Sequence, residues 1–256
     1  MPTEPVLVEQ RGEIRIVTLN RPEALNAVDA GLRDGMIAAL AAAEAEPAVK
    51  AVVLTGAGGR AFSAGQDFSV STTLSPTTAP AWMESLHGFY QSVRALTKPA
   101  VAAIDGVAAG AGFQAALWCD LRVGTPKTRM GQPEVAAGMA SVIGVVPMLQ
   151  ALGLSRTLAL SLTSRLLDAE ACLAAGLLTE IAPADALTDQ AIALARTMTA
   201  MPPIAFALTK RRIAEVTQPA FDDAIRTAAD YAARSYAAGE PQAAAAAFNA
   251  RKGRPA

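Results

Sequence analysis

The sequence has few residues that bind metals or form covalent crosslinks, with one histidine and two cysteines among 256 residues. A Ser-His-Asp triad could therefore form only around His87, and a Cys₄ or Cys₂His₂ zinc site cannot be completed. We expect no metal site. Cys119 and Cys172 lie in mostly apolar segments, which is typical of reduced, buried thiols in an intracellular protein.

Charge is also scarce and evenly divided. Charged residues make up 18% of the chain against 52% hydrophobic residues, which excludes intrinsic disorder, and 22 basic residues balance 23 acidic ones. Five like charges never occur in a row, which disfavours a nucleic-acid surface or a polybasic membrane surface. Residues 1–17 lack the apolar core of a secretory signal. We therefore expect a cytoplasmic protein that binds neither nucleic acid nor membrane.

One uncharged stretch, residues 135–155, is nonetheless long enough to cross a bilayer. It is interrupted by Gly138, Gly144, Pro147 and Gly153, and no belt of aromatic or basic residues marks its ends. The sequence predicts a tight turn followed by a buried helix in this stretch.

Apolar patterns typical of strands and of helices alternate up to about residue 125. Strands are predicted at residues 6–8, 14–19, 51–54, 101–104 and 121–123, and helices over residues 29–46, 79–96 and 112–117. The first two strands read as a hairpin, and the remaining alternation is typical of βαβ units with a mostly parallel sheet. From residue 140 onward the pattern is helical except at residues 177–181, and its alanine-rich helices suggest packing against a second subunit.

Two glycine-rich loops, residues 56–67 and 105–114, each follow a predicted buried strand. Their small residues let backbone N–H groups approach a ligand, and the second loop opens a helix whose N-terminus carries positive partial charge. The loops therefore predict a ligand site, although they could also simply pack against a sheet edge.

Three ligand-binding interpretations of these loops can be compared. A dinucleotide site is weakly supported, because the G-x-G-x-x-A pattern at residues 110–115 begins too far beyond its strand and no acidic residue ends the next one. A nucleophile elbow around Ser63 would need His87, which lies inside a predicted helix. An oxyanion hole needs only two converging backbone N–H groups, one from each loop.

Four segments carry a resemblance to the enoyl-CoA hydratase/isomerase, or crotonase, superfamily along almost the whole chain. They are residues 19–27 (LNRPEALNA), 61–67 (AFSAGQD), 98–112 and 130–134 (MGQPE). The resemblance implies an α/β fold, a crotonase-like spiral of ββα turns, which we expect over residues 1–195. A C-terminal helical trimerisation region is expected over residues 196–256, giving a homotrimer or a hexamer.

The same resemblance implies a coenzyme A thioester as substrate and no cofactor beyond that coenzyme A. It assigns the oxyanion donors to the backbone N–H groups of Gln66 and Ala111. It places contacts with coenzyme A at Glu23, Ala24, Leu25, Ala64, Gly110, Phe248 and Arg251. Arg251 also has a chemical rationale, since a guanidinium group pairs well with phosphate oxygens.

The chain departs from the hydratase pattern at one catalytic position. Hydratases of this family use two glutamates, of which one matches Glu134, while Gln114 stands in place of the other. A glutamine amide cannot transfer a proton at neutral pH, although it can hold a water molecule. Apolar neighbours of Glu134 should raise its pKa towards the range of a general base. One base and an oxyanion hole suffice to convert a 3-enoyl-CoA into a 2-enoyl-CoA, which is the reaction we predict.

Several alternatives stay open on the sequence alone. The protein could hydrate a 2-enoyl-CoA with Gln114 positioning the water, or bind acyl-CoA without catalysis. Glu134 could be a surface carboxylate at a helix start, and His87 could be either an acid–base group or a packing residue. Asp67, Asp105 and Asp120 are interpreted as braces for loops.

Overall fold

The computed structural model describes residues 4–252, without the side chains of residues 248, 249, 251 and 252. The predicted contacts of Phe248 and Arg251 with coenzyme A therefore lie outside the described residues. The strands are β1 (Val6–Arg11), β2 (Ile14–Leu19), β3 (Ala51–Gly56), β4 (Ala61–Ser63), β5 (Ala100–Ile104), β6 (Val107–Ala109), β7 (Leu121–Gly124), β8 (Arg129–Gly131), β9 (Leu166–Asp168) and β10 (Glu180–Ile181). The helices are α1 (Ala30–Ala45), α2 (Phe68–Thr73), α3 (Ala79–Arg94), α4 (Ala111–Trp118), α5 (Val145–Thr163), α6 (Ala169–Ala174), α7 (Leu187–Thr199), α8 (Pro203–Ala237) and α9 (Glu240–Lys252).

The strands form two sheets, and the chain passes repeatedly from one to the other. The first sheet has the order β1-β2-β3-β5-β7-β10, and the second has the order β4-β6-β8-β9. Strands β3 to β8 thus alternate between the sheets, with helices following each pair, which gives the spiral of ββα turns. Only β1 with β2 and β8 with β9 pair antiparallel among the described residues, so the predicted hairpin and mostly parallel sheet are confirmed.

Strands β4, β6, β8 and β9 were not predicted. Each has only three residues; β4 and β6 lie in the segments interpreted as glycine-rich loops, and β9 lies in a segment predicted to be helical. Three residues are too few to establish a period of two, so a sequence pattern cannot distinguish them from a turn.

The central strands of the first sheet are buried on both faces, and their alternate residues pack into different hydrophobic cores, whereas the edge strand β1 is largely exposed. Val52 and Leu54 of β3 face a cluster that includes residues of α1 and α3. Val53 of β3 and Val101 of β5 face the opposite side, where α7 packs. The predicted boundary between the spiral core (residues 1–195) and the C-terminal helical region (residues 196–256) falls inside α7. The division of the chain into these two regions stays a prediction.

Local signals set the ends of the predicted helices. Asp29 caps α1, because its Oδ1 accepts a 2.9 Å hydrogen bond from the backbone nitrogen of Leu32. The helix ends before Pro47, and Glu46 is extended as a residue preceding proline should be. The predicted helices over residues 29–46 and 79–96 are confirmed as α1 and α3.

Among the described residues, α5 alone is by itself long and apolar enough to cross a membrane, while α7 and α8 meet that test only as a pair bent by 104°. Helix α5 is broken at Gly153, whose φ of 69° and ψ of 175° are not helical. The prediction of a buried helix is only partly correct, because just a third of its apolar window is buried. Its exposed apolar residues are Leu149, Leu154, Leu158 and Leu162.

The two last helices fold back over the body of the same chain. Helix α8 packs along α3, and α9 packs against α2 and against a 3₁₀ turn at Val135–Ala137. The fit at this turn is tight, since a Cβ atom at Gly138 would lie 2.5 Å from the backbone of Glu240. The C-terminal region therefore contributes to the interior of its own subunit, while its role in trimerisation stays a prediction.

Candidate active site

Three neighbouring parallel strands of the second sheet end at one edge, and the residues that follow them meet around a single cavity. Strand β4 is followed by Ala64 and Gln66, β6 by Gly110 and Ala111, and β8 by Glu134. All five residues line a cavity of about 90 Å³. The carboxyl ends of parallel strands are the usual ligand-binding edge of an α/β sheet. The two glycine-rich loops therefore do converge.

These loops approach each other so closely that only glycine fits between them. Gly65 has a φ of 94°, and a Cβ atom there would lie 2.8 Å from the carbonyl oxygen of Ala109 and 3.3 Å from the nitrogen of Ala111. Both the positive φ and the close contact between backbones require glycine. The backbone at residues 65 and 66 is thereby held against the start of α4.

The backbone N–H groups of Gln66 and Ala111 are free to bind a ligand. Neither donates a hydrogen bond to another described residue. The N–H group of Ala111 is free because it belongs to the first turn of α4, where no preceding carbonyl is in place. The bridge between Val28 and Gln66 uses the carbonyl of Gly65 and the nitrogen of Asp67, which leaves the Gln66 nitrogen unused.

Glu134 is the one acidic residue that lines the cavity in the described part of the chain. The residue as a whole is partly exposed, but its carboxyl group faces the enclosed cavity. Burial raises the pKa of this carboxyl group to about 7, although neighbouring polar side chains act in the opposite direction. A carboxylate with this pKa can accept and return a proton at neutral pH.

Gln114 lies beside Glu134 and is 2% exposed. Its Nε2 donates a 2.8 Å hydrogen bond to Oε1 of Glu134, while its own Oε1 has no partner. The pair therefore contains one group that can accept a proton, and one free oxygen that can accept a hydrogen bond from water or substrate.

Two further polar residues beside Glu134 were not predicted. Gln132 and Ser141 lower the pKa of the Glu134 carboxyl group, yet neither forms a hydrogen bond of ordinary geometry with it. Gly144 makes room for the amides, because a Cβ atom there would lie 2.6 Å from Nε2 of Gln132 and 3.0 Å from Nε2 of Gln114. Gln132 belongs to the MGQPE segment that carries the family resemblance, so a signal for it was present.

The remaining walls of the cavity are largely apolar and come from three parts of the fold. Helix α3 contributes Met83, Leu86 and Tyr90, and the segment after Glu134 contributes Ala137, Met139, Ala140, Val142 and Ile143. Helix α8 contributes Ala228 and Ala232, which the sequence did not indicate, because an alanine-rich helix with no strong apolar face gives no sign of what it covers.

The four other charged candidates lie outside the cavity. His87 does not line it, and its ring stacks on Phe221 with centroids 5.5 Å apart, which favours a packing role. Asp67 pairs with Arg21 at 2.9 Å, Asp120 pairs with Lys210 at 2.8 Å, and Asp105 accepts a 2.8 Å hydrogen bond from the hydroxyl of Thr125. Asp67 and Asp120 also accept hydrogen bonds from the backbone nitrogens of Ser69 and Ala100, so these two hold the backbone in place, whereas Asp105 binds the Thr125 side chain.

The positions assigned to coenzyme A fall into two groups. Ala64 and Gly110 line the cavity, whereas Glu23, Ala24 and Leu25 do not. Those three lie at a 3₁₀ turn, Pro22–Ala24, next to the first loop, since the nitrogen of Ala64 donates a 3.0 Å hydrogen bond to the carbonyl of Leu25. No cluster of three or more His, Cys, Asp or Glu side chains able to hold a metal occurs among residues 4–252 with described side chains.

Comparison with known proteins identifies the class to which this fold and cavity belong. The model of the enoyl-CoA hydratase/isomerase family matches residues 9–250. A probable enoyl-CoA hydratase of Mycobacterium bovis is 32% identical over 83% of this chain and 82% of its own length. A short-chain-enoyl-CoA hydratase of Clostridium acetobutylicum is 31% identical over 86% of this chain and 85% of its own.

A solved structure gives the same result. The crystal structure of an enoyl-CoA hydratase/isomerase from Mycobacterium paratuberculosis superimposes with a TM-score of 0.86, at 27% identity, over 96% of this chain and 99% of that one. The fold is thus that of the crotonase superfamily. The chain belongs to the enoyl-CoA hydratase/isomerase family of enzymes.

Proposed function

We propose that the enzyme moves the double bond of a 3-enoyl-CoA to give the 2-enoyl-CoA, with Glu134 as its one proton carrier. The observation that carries this proposal is the pairing of Glu134 with the amide of Gln114, where a second carboxylate would be needed for two-acid hydration. A single carboxyl group with a pKa of about 7 can take a proton from one carbon and return it to another.

The reaction proceeds in two proton transfers on one face of the substrate. Glu134 removes a proton from C2, and the electron pair flows through the thioester carbonyl, forming a dienolate. The backbone N–H groups of Gln66 and Ala111 donate hydrogen bonds to the negative oxygen that develops, which is the step they accelerate. The neutral carboxyl group of Glu134 then delivers the proton to C4, which leaves the double bond between C2 and C3.

In this proposal, coenzyme A is part of the substrate and no separate cofactor takes part. The coenzyme A part of the thioester would leave the cavity past Ala64 and Gly110. It would then lie near Glu23, Ala24 and Leu25. The enzyme would act in the cytoplasm as a homotrimer or hexamer, in line with the exposed apolar faces of α5 and α8.

Hydration of a 2-enoyl-CoA is the second candidate, favoured by the names of the relatives and by the free Oε1 of Gln114. In that reaction a water molecule would donate one hydrogen bond to Gln114 and lose a proton to Glu134, and the protonated Glu134 would then supply the proton to C2. One carboxyl group would have to serve both steps in turn.

Deuterium exchange followed by NMR separates the two reactions. Isomerisation on one face predicts label at C2 of the 3-enoyl-CoA and at C4 of the 2-enoyl-CoA in D₂O, with no 3-hydroxyacyl-CoA. Formation of 3-hydroxyacyl-CoA at a rate equal to or above exchange at C4 would establish hydration instead. A Glu134→Gln variant should lose both exchange and turnover, and unchanged turnover would remove Glu134 from the mechanism.

A further inference from the structure

One wall of the cavity carries a group of hydroxyls that the proposed proton transfer does not use. Gln66 and Ser71 both line the cavity, and Nε2 of Gln66 donates a 2.7 Å hydrogen bond to Oγ of Ser71. Ser71 is only 3% exposed, and its hydroxyl donates no hydrogen bond of ordinary geometry to another described residue. A buried hydroxyl with an unused donor is unusual in an apolar wall.

Tyr236 adds a second unused hydroxyl at the same place. It is 2% exposed, and its hydroxyl lies beside Ser71 and Gln66 without forming a hydrogen bond of ordinary geometry with either. Burial raises the pKa of Tyr236, which keeps the hydroxyl protonated and able to donate. Leaving such a group poorly paired in the interior is unfavourable, so a partner is expected when the site is occupied.

The position of Tyr236 follows from the periodicity of α8. Ala228, Ala232 and Tyr236 recur every four residues and so share one face of the helix. The two alanines line the cavity, and Tyr236 packs against Ala232 and Met83 at the end of this face. Tyr236 itself does not line the cavity, but its hydroxyl lies beside Ser71 and Gln66, which do.

The charge of the surroundings limits what these hydroxyls can bind. In the described part of the chain, no arginine, lysine or histidine lines the cavity, and its one ionisable carboxyl group is Glu134. A carboxylate on the substrate would therefore enter without a counter-charge and would be repelled by ionised Glu134. An uncharged oxygen needs no counter-charge and is not repelled by ionised Glu134.

We propose that Ser71 and Tyr236 form a hydrogen-bonding subsite for an uncharged oxygen, a hydroxyl or a ketone, carried by the acyl group of the substrate. This inference rests on the proposed function, because it places the acyl part of a coenzyme A thioester in the cavity. It narrows the substrate class from enoyl-CoA in general to oxygenated enoyl-CoA.

The test compares matched ligands at equilibrium, so that it does not require turnover. Saturated acyl-CoA thioesters ending in a methyl, a hydroxyl or a carboxylate group are titrated over a series of chain lengths. At the length that reaches the subsite, the hydroxyl form should bind about five to ten times more tightly than the methyl form. Equal affinity of the two forms at all lengths, or tightest binding of the carboxylate, would overturn the inference.

Two variants locate the effect. Tyr236→Phe should remove most of the preference for the hydroxyl form, and its melting temperature should be equal or higher because an unpaired buried hydroxyl is lost. Tyr231→Phe is the matched control, since Tyr231 lies on the same helix but is 43% exposed, whereas Tyr236 is 2% exposed. If both variants change the preference equally, the subsite is not at Tyr236.

The experiments can reject the hydrogen-bonding subsite and the proposed isomerase activity independently of each other. Turnover of plain 3-enoyl-CoA without any preference for oxygenated ligands would retain the isomerase and reject the subsite. A preference in binding without proton exchange would retain the subsite and reject the isomerase.

Discussion

The amide of Gln114 donates a 2.8 Å hydrogen bond to the carboxylate of Glu134, at the position where the family resemblance implies the second glutamate of a hydratase. The amide holds the carboxylate in place without competing for its proton. The identity of residue 114 is therefore the feature of this cavity on which the choice of reaction depends.

Replacing that amide by an acid should change the products. In Gln114→Glu two carboxyl groups share one hydrogen bond, which raises the pKa of the pair and supplies an acid together with a base. We expect the ratio of 3-hydroxyacyl-CoA formed to double bond migrated to rise at least about tenfold. Chromatography of the products measures this ratio, and Gln114→Met, which has a similar size and no proton to transfer, is the control. An unchanged ratio would contradict our account of residue 114.

The raised pKa of Glu134 should also affect the stability of the fold. The carboxyl group has a pKa of about 7 when folded, against an ordinary value of 4.5, so the folded state binds more protons between these pH values. The free energy of unfolding should therefore fall as the pH rises from 4.5 to 7, by up to about 3 kcal/mol for this group. Glu134→Gln should remove that fall, because a neutral amide does not ionise.

Denaturant titrations at several pH values test this expectation without any substrate. The variant should be more stable than the wild type at pH 8 and should lose that advantage near pH 4. A difference between the two proteins that does not depend on pH would mean that the carboxyl group is not buried in solution.

The contact between the two loops can be tested at one glycine. Gly65→Ala places a Cβ atom 2.8 Å from the carbonyl oxygen of Ala109, which should move the Gln66 nitrogen and lower kcat/KM by about 10²–10³. Gly176→Ala is the matched control, because Gly176 also has a positive φ, of 77°, but has nothing within 4 Å of its added Cβ. Both variants should lose about 1 kcal/mol of stability from the strained φ, and only the first should lose activity.

The two cysteines should be inert in the native protein. Both are unpaired and buried, and burial raises the pKa of each thiol to about 12. We expect Ellman's reagent to label neither Cys119 nor Cys172 until the protein is unfolded in denaturant, when both react. Rapid labelling of one thiol under native conditions would show local opening around it.

The sequence predicted the large elements because each has its own periodic signal. Helix α1 begins at the capping residue Asp29 and ends before Pro47, and β3 and β5 are continuous apolar runs. The strands of the second sheet could not be predicted, because three residues carry no period. The glycine pattern nevertheless predicted that residues 56–67 and 105–114 bind a ligand, and the structure explains their convergence by the pairing of β4 with β6.

Residues contributed from far along the chain were the hardest to predict. Ala228 and Ala232 reach the cavity wall only because α8 packs along α3, and nothing in their local sequence distinguishes them from the other residues of an alanine-rich helix. The position of Gln132 near the site could have been inferred, since it lies two residues before Glu134. A neutral amide transfers no proton, however, so its residue type alone does not indicate a role beside a general base.

The placement of the site at three strand ends has a consequence for how new chemistry could arise on this scaffold. The ladder of β4, β6 and β8 is made by backbone atoms, whereas residues 66, 111 and 134, to which we propose roles in the reaction, line the cavity just beyond it. A mutation at such a position, or on the adjoining helix as at residue 114, can therefore change which proton moves while the interstrand hydrogen bonds remain intact. A related enzyme could therefore evolve a different reaction through single side-chain substitutions, while the sheet itself stays unchanged.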